Sequence, residues 1–191
     1  MANHVYTSFN ITASAEVLQD FIDKVITDEA KANPWPDHYS IMTDNLFALL
    51  YADYKEDATR DWMIDNIGAK WCWIHDWYAD NEYIEFTMQS AWSPPEIFFN
   101  KLSEYLMNTE EEFELEVRSE DEYHIHVSGG FANQIGYEFI CIDQGYPDAP
   151  NEDDFDDADS YEEAEQIYFD AIADTIQDLI DECKYCLKTE S

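Results

Sequence analysis

Basic residues are scarce in this sequence. Lysine and arginine together number 9, against 44 aspartates and glutamates, which gives the 191 residues a formal net charge of -35. Proteins hold nucleic acid largely by neutralising its phosphates with lysine and arginine, so this composition argues against direct binding of DNA or RNA. Repulsion between these carboxylates and anionic lipid headgroups also disfavours binding to an anionic membrane surface. The partners that we expect instead are basic proteins, or basic clefts on proteins.

Long apolar runs are also missing. No stretch of the sequence approaches the roughly 20 apolar residues that cross a bilayer. The first residues, MANHVYTSFNIT, lack the basic and apolar regions of a signal peptide. We therefore expect no membrane association and a location in the cytoplasm. The cysteines Cys72, Cys141, Cys183 and Cys186 are then expected to be reduced thiols.

Catalytic motifs are absent too. The sequence contains no GxSxG, P-loop or HExxH pattern. Residues 153–159 lack the glycine and the terminal spacing of a calcium-binding EF-hand loop. Cys183 and Cys186 lie near the C-terminal end of a predicted helix, where thiolates are disfavoured, and we interpret both as core residues. The sequence thus predicts a protein that is not an enzyme and that holds neither cofactor nor metal.

Apolar and aromatic residues are plentiful despite the charge. The 6 tryptophans, 13 tyrosines and 11 phenylalanines supply enough apolar surface for a core. Apolar residues at every second position predict strands, and apolar residues at helical spacing predict helices. The predicted strands are 3–12, 70–74, 83–88, 112–118, 123–127 and 135–142, and the predicted helices are 16–31, 97–106 and 160–188. The tryptophans at positions 71, 73, 77 and 92 are predicted to be core residues with one exposed edge.

Local signals divide these segments. The Asn33–Asp37 stretch, with its two prolines, ends the first helix, Ser93 caps the second, and Ser160 caps the last. The two glycines at positions 129 and 130 predict a turn. Residues 34–66 are interpreted as a helical insertion.

Without that insertion, the order is strand, helix, strand, strand, helix, strand. This is the order of the ferredoxin-like split βαβ fold. We therefore predict an α+β protein in which residues 1–146 form a ferredoxin-like antiparallel sheet with helices packed on one face. Residues 147–191 add an acidic arm and a long acidic C-terminal helix, packed either on the same domain or at a homodimer interface.

The acidic residues follow periodic patterns. Three glutamates alternate with apolar residues along the strand 112–118, and acids recur at mostly four-residue spacing along the last helix. Like charges four residues apart destabilise a helix, and the helix dipole does not account for acids in its middle. We interpret them as a surface presented to a cationic partner, although simple solubility stays open. The predicted partner-binding residues are Glu112, Glu114, Glu116, Asp153, Asp154, Asp156, Asp157, Asp159, Glu163, Asp170, Asp174, Asp178 and Glu182.

Three segments carry a family resemblance. Residues 66–73 (NIGAKWCW), the hairpin that leads into 84–86 (IEF), and residues 90–95 (SAWSPP) resemble the ferredoxin-like domain of Api92-like bacteriophage proteins. The resemblance spans roughly residues 3–142 and implies a ferredoxin-like fold and a phage or mobile-element origin. The long acidic helix lies outside it.

The resemblance and the charge together lead to a functional expectation. We expect a phage-encoded counter-defence protein that inhibits a restriction, CRISPR or BREX-type host factor through its acidic surface, as a mimic of DNA in a basic cleft. One alternative is an inhibitor that contacts a defence subunit through an apolar patch. A second is an acidic phage accessory protein, and a third is metal-dependent chemistry at His124 and His126.

Overall fold

The computed structural model describes residues 3–33, 37–56, 58–143, 149–155 and 157–190, the side chains of Glu152 and Glu190 excepted. The strands are β1 His4–Ala13, β2 Cys72–Ala79, β3 Tyr83–Ala91, β4 Phe113–Asp121, β5 His126–Ala132 and β6 Tyr137–Asp143. The helices are α1 Ala15–Val25, α2 Asp28–Ala32, α3 Asp37–Leu50, α4 Arg60–Ile67, α5 Glu96–Met107 and α6 Ala158–Glu190, with a 3-10 turn at Glu152–Asp154. No helix in the described ranges is both long enough and apolar enough to span a membrane.

All six strands form one antiparallel sheet in the order β2-β3-β1-β4-β5-β6. The first four strands have the neighbours of a ferredoxin-like sheet, and β5 and β6 extend it as a meander. The predicted α+β class with a ferredoxin-like antiparallel sheet is confirmed.

The sheet packs against helices on both faces. Alternate residues of β1, such as Phe9 and Ile11, belong to the main core with α1, α3 and α5. The long helix α6 lies on the opposite face, where it contacts β5, β6 and β4. Two neighbouring glycines show the two sides: a Cβ on Gly129 would meet Leu179 of α6, and a Cβ on Gly130 would meet Phe99 of α5.

These glycines correct one prediction. Gly129 and Gly130 lie inside β5 and form no turn. Glycine is required at both positions because α6 and aromatic side chains approach the strand too closely for a larger residue. The predicted strand 123–127 is also wrong in its first half, since β5 begins only at His126. The chain reverses before that point, where His124 adopts a left-handed φ of 55°.

The predicted helix 16–31 is two helices. α1 ends at Val25, and the Thr27 side chain accepts a hydrogen bond from the backbone N–H of Ala30 and begins α2. A threonine at this position is a strong helix start, and it overrides the apolar spacing that continues through it.

Two predicted helix caps are also wrong. Ser93 does not cap α5; its hydroxyl donates to the carbonyl oxygen of Gly68 at 2.7 Å, and Pro95 occupies the cap position. Ser160 lies inside α6, and its backbone N–H donates to the Asp157 carboxylate at 2.8 Å. The aspartate, which can accept without donating, is the residue that satisfies the first turn of α6.

Candidate protein-binding surface

Helix α6 combines a buried stripe with an exposed acidic side. Its 33 residues correspond to a length of about 50 Å. Its buried residues are Tyr168, Ile172, Ile176, Leu179, Ile180, Cys183 and Leu187. None of the residues 158–167 is buried, so the first turns of the helix extend beyond the sheet.

The predicted acidic row lies on the side of α6 opposite its buried stripe. Glu163, Asp170, Asp174, Asp178 and Glu182 are all exposed. Successive acids from Asp170 onward are four residues apart, which is a rise of about 6 Å per step. Gln166 donates to Asp170 at 2.7 Å. Within the described part of the chain, Asp174, Asp178 and Glu182 form neither a hydrogen bond nor an ion pair, so their charges are available to a partner.

The acidic arm is only partly described. Asp153, Asp154 and Asp159 are exposed, whereas Asp156 lies outside the described residues. The pKa of the Asp157 carboxyl is lowered, chiefly by the hydrogen bond from the Ser160 backbone N–H. Asp157 therefore has a structural role at the start of α6 besides any role in binding.

The predicted row along β4 is not a free anionic track. Glu112 precedes the strand and Glu114 lies on it, and both are exposed. Glu116 faces α6, where Lys184 Nζ contacts its carboxylate at 2.6 Å and Arg118 lies 3.8 Å away. This ion pair joins residues that are 68 positions apart in the sequence. The carboxylate predicted to serve a partner instead attaches the C-terminal half of α6 to the sheet.

Glu116→Gln is therefore expected to lower the free energy of unfolding by about 1–2 kcal/mol, because it removes a charge-assisted hydrogen bond from a half-buried site. The matched control is Glu114→Gln, which makes the same change of net charge on the same strand and should stay within about 0.5 kcal/mol of the unmodified protein. Urea unfolding followed by tryptophan fluorescence measures both. Equal effects of the two substitutions would show that the Glu116–Lys184 ion pair does not stabilise the attachment of α6.

The two histidines lie in different surroundings. His124 lies in the turn before β5, 3.1 Å from Glu120 and in ring contact with Phe169, whereas His126 lies 3.7 Å from Asp143. The prediction that both lie side by side on one strand is wrong. No group of three metal-ligating side chains occurs in the described ranges.

Cys183 and Cys186 differ in their surroundings. Cys183 is fully buried between α6 and β5, its thiol donates to the carbonyl oxygen of Gly129 at 3.6 Å, and burial raises its pKa to about 11. Cys186 is half-buried. A thiol with this pKa is a packing residue, since the reactive form is the thiolate.

The sequence patterns did not lead to the prediction of a set of exposed aromatic residues. Trp77 stacks on Phe86 in the core, but Trp71, Trp73 and Trp92 are 45%, 38% and 55% exposed. The prediction that the tryptophans are core residues with one exposed edge is thus wrong for three of the four. The signal was present, because strand alternation places Trp71 and Trp73 opposite the buried Cys72 and Ile74. Trp71 and Trp92 lie just outside β2 and β3, whereas Trp73 lies within β2, and an exposed aromatic residue on a strand is typical of a binding surface.

The described residues thus present two distinctive exposed surfaces, the acidic outer side of α6 and an aromatic part of the sheet. Comparison with known proteins adds no relative: no protein-family model, curated protein or solved structure matches the chain.

Proposed function

We propose that this protein binds and inhibits a host defence protein of restriction, CRISPR or BREX type, in the cytoplasm of a phage-infected cell. The contact is the acidic outer side of α6, and the target surface is a basic cleft that otherwise holds DNA. The resemblance to Api92-like phage proteins supports the biological setting, and the charge of -35 supports the choice of a basic target.

The observation that carries the proposal is the fixed geometry of the acidic row. Buried residues hold α6 on the sheet from Tyr168 to Leu187, so the acids between them point away from the protein on a rigid support. Rigid charges bind a complementary surface with less loss of side-chain and chain entropy than charges on a disordered tail. Mutual repulsion at four-residue spacing costs a few tenths of a kcal/mol per pair, which a purely structural helix has no reason to retain.

The spacing of the row favours mimicry of DNA. Asp170, Asp174 and Asp178 advance by about 6 Å per step along α6. Two base steps along one strand of DNA advance by about 6.8 Å. The row therefore advances along its axis about as fast as every second phosphate of one strand, so a protein that contacts phosphates with lysine and arginine finds carboxylates at similar axial intervals.

The test is capture of host proteins by the triple variant Asp170→Asn, Asp174→Asn and Asp178→Asn. We expect it to bind a captured target about tenfold more weakly than the unmodified protein, and to show a smaller loss of binding on addition of salt, because three exposed charge contacts are removed. Duplex DNA should displace the target from the unmodified protein.

The matched control removes three exposed carboxylates elsewhere, with Asp65→Asn, Glu82→Gln and Glu96→Gln. It has the same net charge as the triple variant and should keep its affinity. If both variants weaken binding equally, net charge and not the geometry of α6 determines the interaction. A target that DNA does not displace would contradict mimicry and favour the role of an acidic accessory protein or of an inhibitor that uses an apolar patch.

A further inference from the structure

Half of one sheet face carries no helix within the described residues. α6 covers β4, β5 and β6, and the same face of β1, β3 and β2 is left open. The strand register arranges its outward side chains in rows. These rows are Tyr6–Gln89–Trp73, Ser8–Thr87, Asn10–Glu85–Tyr78 and Thr12–Tyr83. We call this surface, together with His75, the open face.

The open face carries aromatic residues at both ends, with Tyr6 and Trp73 at one end and Tyr78 and Tyr83 towards the other. Tyr6, Trp73 and Tyr78 are 37%, 38% and 53% exposed. Gln89 donates to the Tyr6 hydroxyl at 3.1 Å, and the Tyr6 ring contacts His75 with centroids 5.8 Å apart. These contacts hold the Tyr6 side chain in place before a partner arrives, which lowers the entropic cost of binding.

The open face has the width of one helix. Three strands about 4.8 Å apart make a floor of roughly 14 Å, and a helix with its side chains measures about 10–12 Å across. α6 forms one wall of this space. A cavity of about 290 Å³ follows the junction and is lined by Tyr6, Ser8, Arg118, Phe169, Ile172 and Ala173. A helix beside α6 would fill this groove with apolar side chains.

The charges of the open face select a basic occupant. Glu85 is exposed in its centre, and Glu114 lies beside Thr12 at its border. Arg118, at the border with α6, is already engaged by Gln177 and lies 3.8 Å from Glu116. A second copy of the chain is disfavoured, because it would bring the same carboxylates and another net charge of -35 to the contact.

Addition of a strand at the β2 edge is less favourable than a helix on the face. The outward backbone N–H of Ile74 already donates to the Thr43 hydroxyl at 2.8 Å, and that of Trp77 donates to the Asp76 carboxylate at 2.8 Å. The register also shifts between Ile74 and Asp76. A bulged edge with occupied donors is poorly suited to pairing with another strand.

We propose that the open face binds an amphipathic helix of the partner protein, with aliphatic residues over Tyr6 and Trp73 and lysine or arginine over Glu85. This inference rests on the proposed function, because the open face and the acidic row of α6 would bind the same partner. The acidic row of α6 then accelerates the encounter, while the open face supplies the apolar contact that gives specificity.

The probe is a synthetic peptide of about 18 residues, or five helical turns, that places leucine on one side and lysine on the other. A scrambled peptide of the same composition is the control. At about 0.3 M NaCl, where exposed charges are screened, we expect the helical peptide to bind more tightly than the scrambled peptide. We also expect it to shift the amide resonances of β1, β2 and β3. Equal affinity of the scrambled peptide, or shifts confined to α6, would overturn the proposal.

Matched variants locate the contact. Glu85→Arg and Asp174→Arg make the same charge change at exposed sites, one on the open face and one on α6. We expect Glu85→Arg to weaken the peptide about tenfold, and Asp174→Arg less than threefold, because only the first charge lies under the bound helix. Equal losses would place the peptide elsewhere.

The apolar contact has its own pair of variants. Trp73→Ala should weaken binding about tenfold, and Tyr185→Ala, which removes an aromatic side chain 68% exposed on α6, should leave it unchanged. Circular dichroism confirms that each variant is folded. The peptide assay does not depend on Asp170, Asp174 and Asp178, so a failed DNA-mimic test leaves this inference standing, and a failed peptide test leaves the α6 proposal standing.

Discussion

Replacing Gly129 by alanine is expected to release α6 from the sheet and to speed alkylation of Cys183 by roughly 30-fold, which corresponds to a loss of about 2 kcal/mol. An added Cβ would lie 2.7 Å from Leu179 Cβ, 2.9 Å from the Ile180 backbone nitrogen and 3.1 Å from the Ile176 carbonyl oxygen. Two of these atoms belong to the backbone of α6 and cannot turn aside as the end of a flexible side chain can. The helix or β5 must therefore move.

The thiols report which part of the protein opens. Cys183 is buried between α6 and β5, whereas Cys72 is buried in the main core on the other face of the sheet. Alkylation of a buried thiol proceeds from states in which its surroundings have opened. We expect Gly129→Ala to expose Cys183 while Cys72 stays protected, since the added methyl group disturbs only the second core. Mass spectrometry of the alkylated peptides measures both rates in one sample.

Gly136→Ala is the matched control. A Cβ at Gly136 would lie 3.2 Å from Leu187 Cδ2, the end of a side chain that can rotate away. Its effect on the Cys183 rate should stay below about fivefold. If Gly129→Ala labels no faster than Gly136→Ala, α6 does not pack on β5 as closely as these distances require.

Gly129→Ala also separates geometry from charge in the proposed function. The variant keeps every carboxylate and the net charge of -35, but it no longer presents Asp170, Asp174 and Asp178 on a fixed support. A partner that recognises the geometry should bind it more weakly, whereas one attracted by net charge alone should not distinguish it from Gly136→Ala. Surface plasmon resonance with a captured target measures the difference.

Local sequence signals predicted which helices and strands occur more accurately than they predicted where each one begins and ends. Alternation located β1, β3 and β4, because a strand that is buried on one face carries its pattern in adjacent residues. Thr27 followed by Asp28 and Glu29 is a helix start that the sequence contains but that the longer apolar spacing concealed. Gly129 and Gly130 resemble a turn for the same reason that they fit a crowded strand, namely the missing side chain. The close approach of α6 to Gly129 and of Phe139 and Phe99 to Gly130 distinguishes the strand from a turn.

The candidate surface was predictable where it depends on a single helix. The outward side of α6 follows from its own periodicity, which places Asp174 and Asp178 opposite the buried Ile176 and Ile180. The role of Glu116 was not predictable, because its partner Lys184 belongs to an element far away in the sequence. The open face was missed for a similar reason. Its exposure depends on how much of the sheet α6 covers, and no local pattern carries that information.

One buried carboxylate explains the incorrect strand at 123–127. Asp121, which is 1% exposed, accepts hydrogen bonds from the backbone N–H groups of Ile125 at 2.7 Å and His126 at 3.0 Å. Its second oxygen accepts from the Asn3 side chain at 2.8 Å. The carboxylate thus closes the turn between β4 and β5 and attaches the start of β1 to it. Local hydrogen bonds of this kind compete with strand pairing.

Asp121→Ala is therefore expected to lower the free energy of unfolding by about 3 kcal/mol, because three donors, two of them on the backbone, lose their acceptor in a buried place. Asp121→Asn keeps one oxygen for the Ile125 and His126 N–H groups and should cost about 1 kcal/mol. Asp143→Ala, at a carboxylate 76% exposed, should change stability by less than about 0.5 kcal/mol. Urea unfolding with an unchanged m-value checks all three.

The ranking of these three variants matters more than any single value. A protein of net charge -35 gains some stability whenever a carboxylate is neutralised, and this gain is shared by Asp121 and Asp143 substitutions alike. The difference between Asp121→Ala and Asp143→Ala therefore isolates the hydrogen bonds of the turn from the relief of repulsion. If Asp121→Ala is no less stable than Asp143→Ala, the turn is held by strand pairing alone. Asp121 would then be a buried charge that the fold tolerates without using.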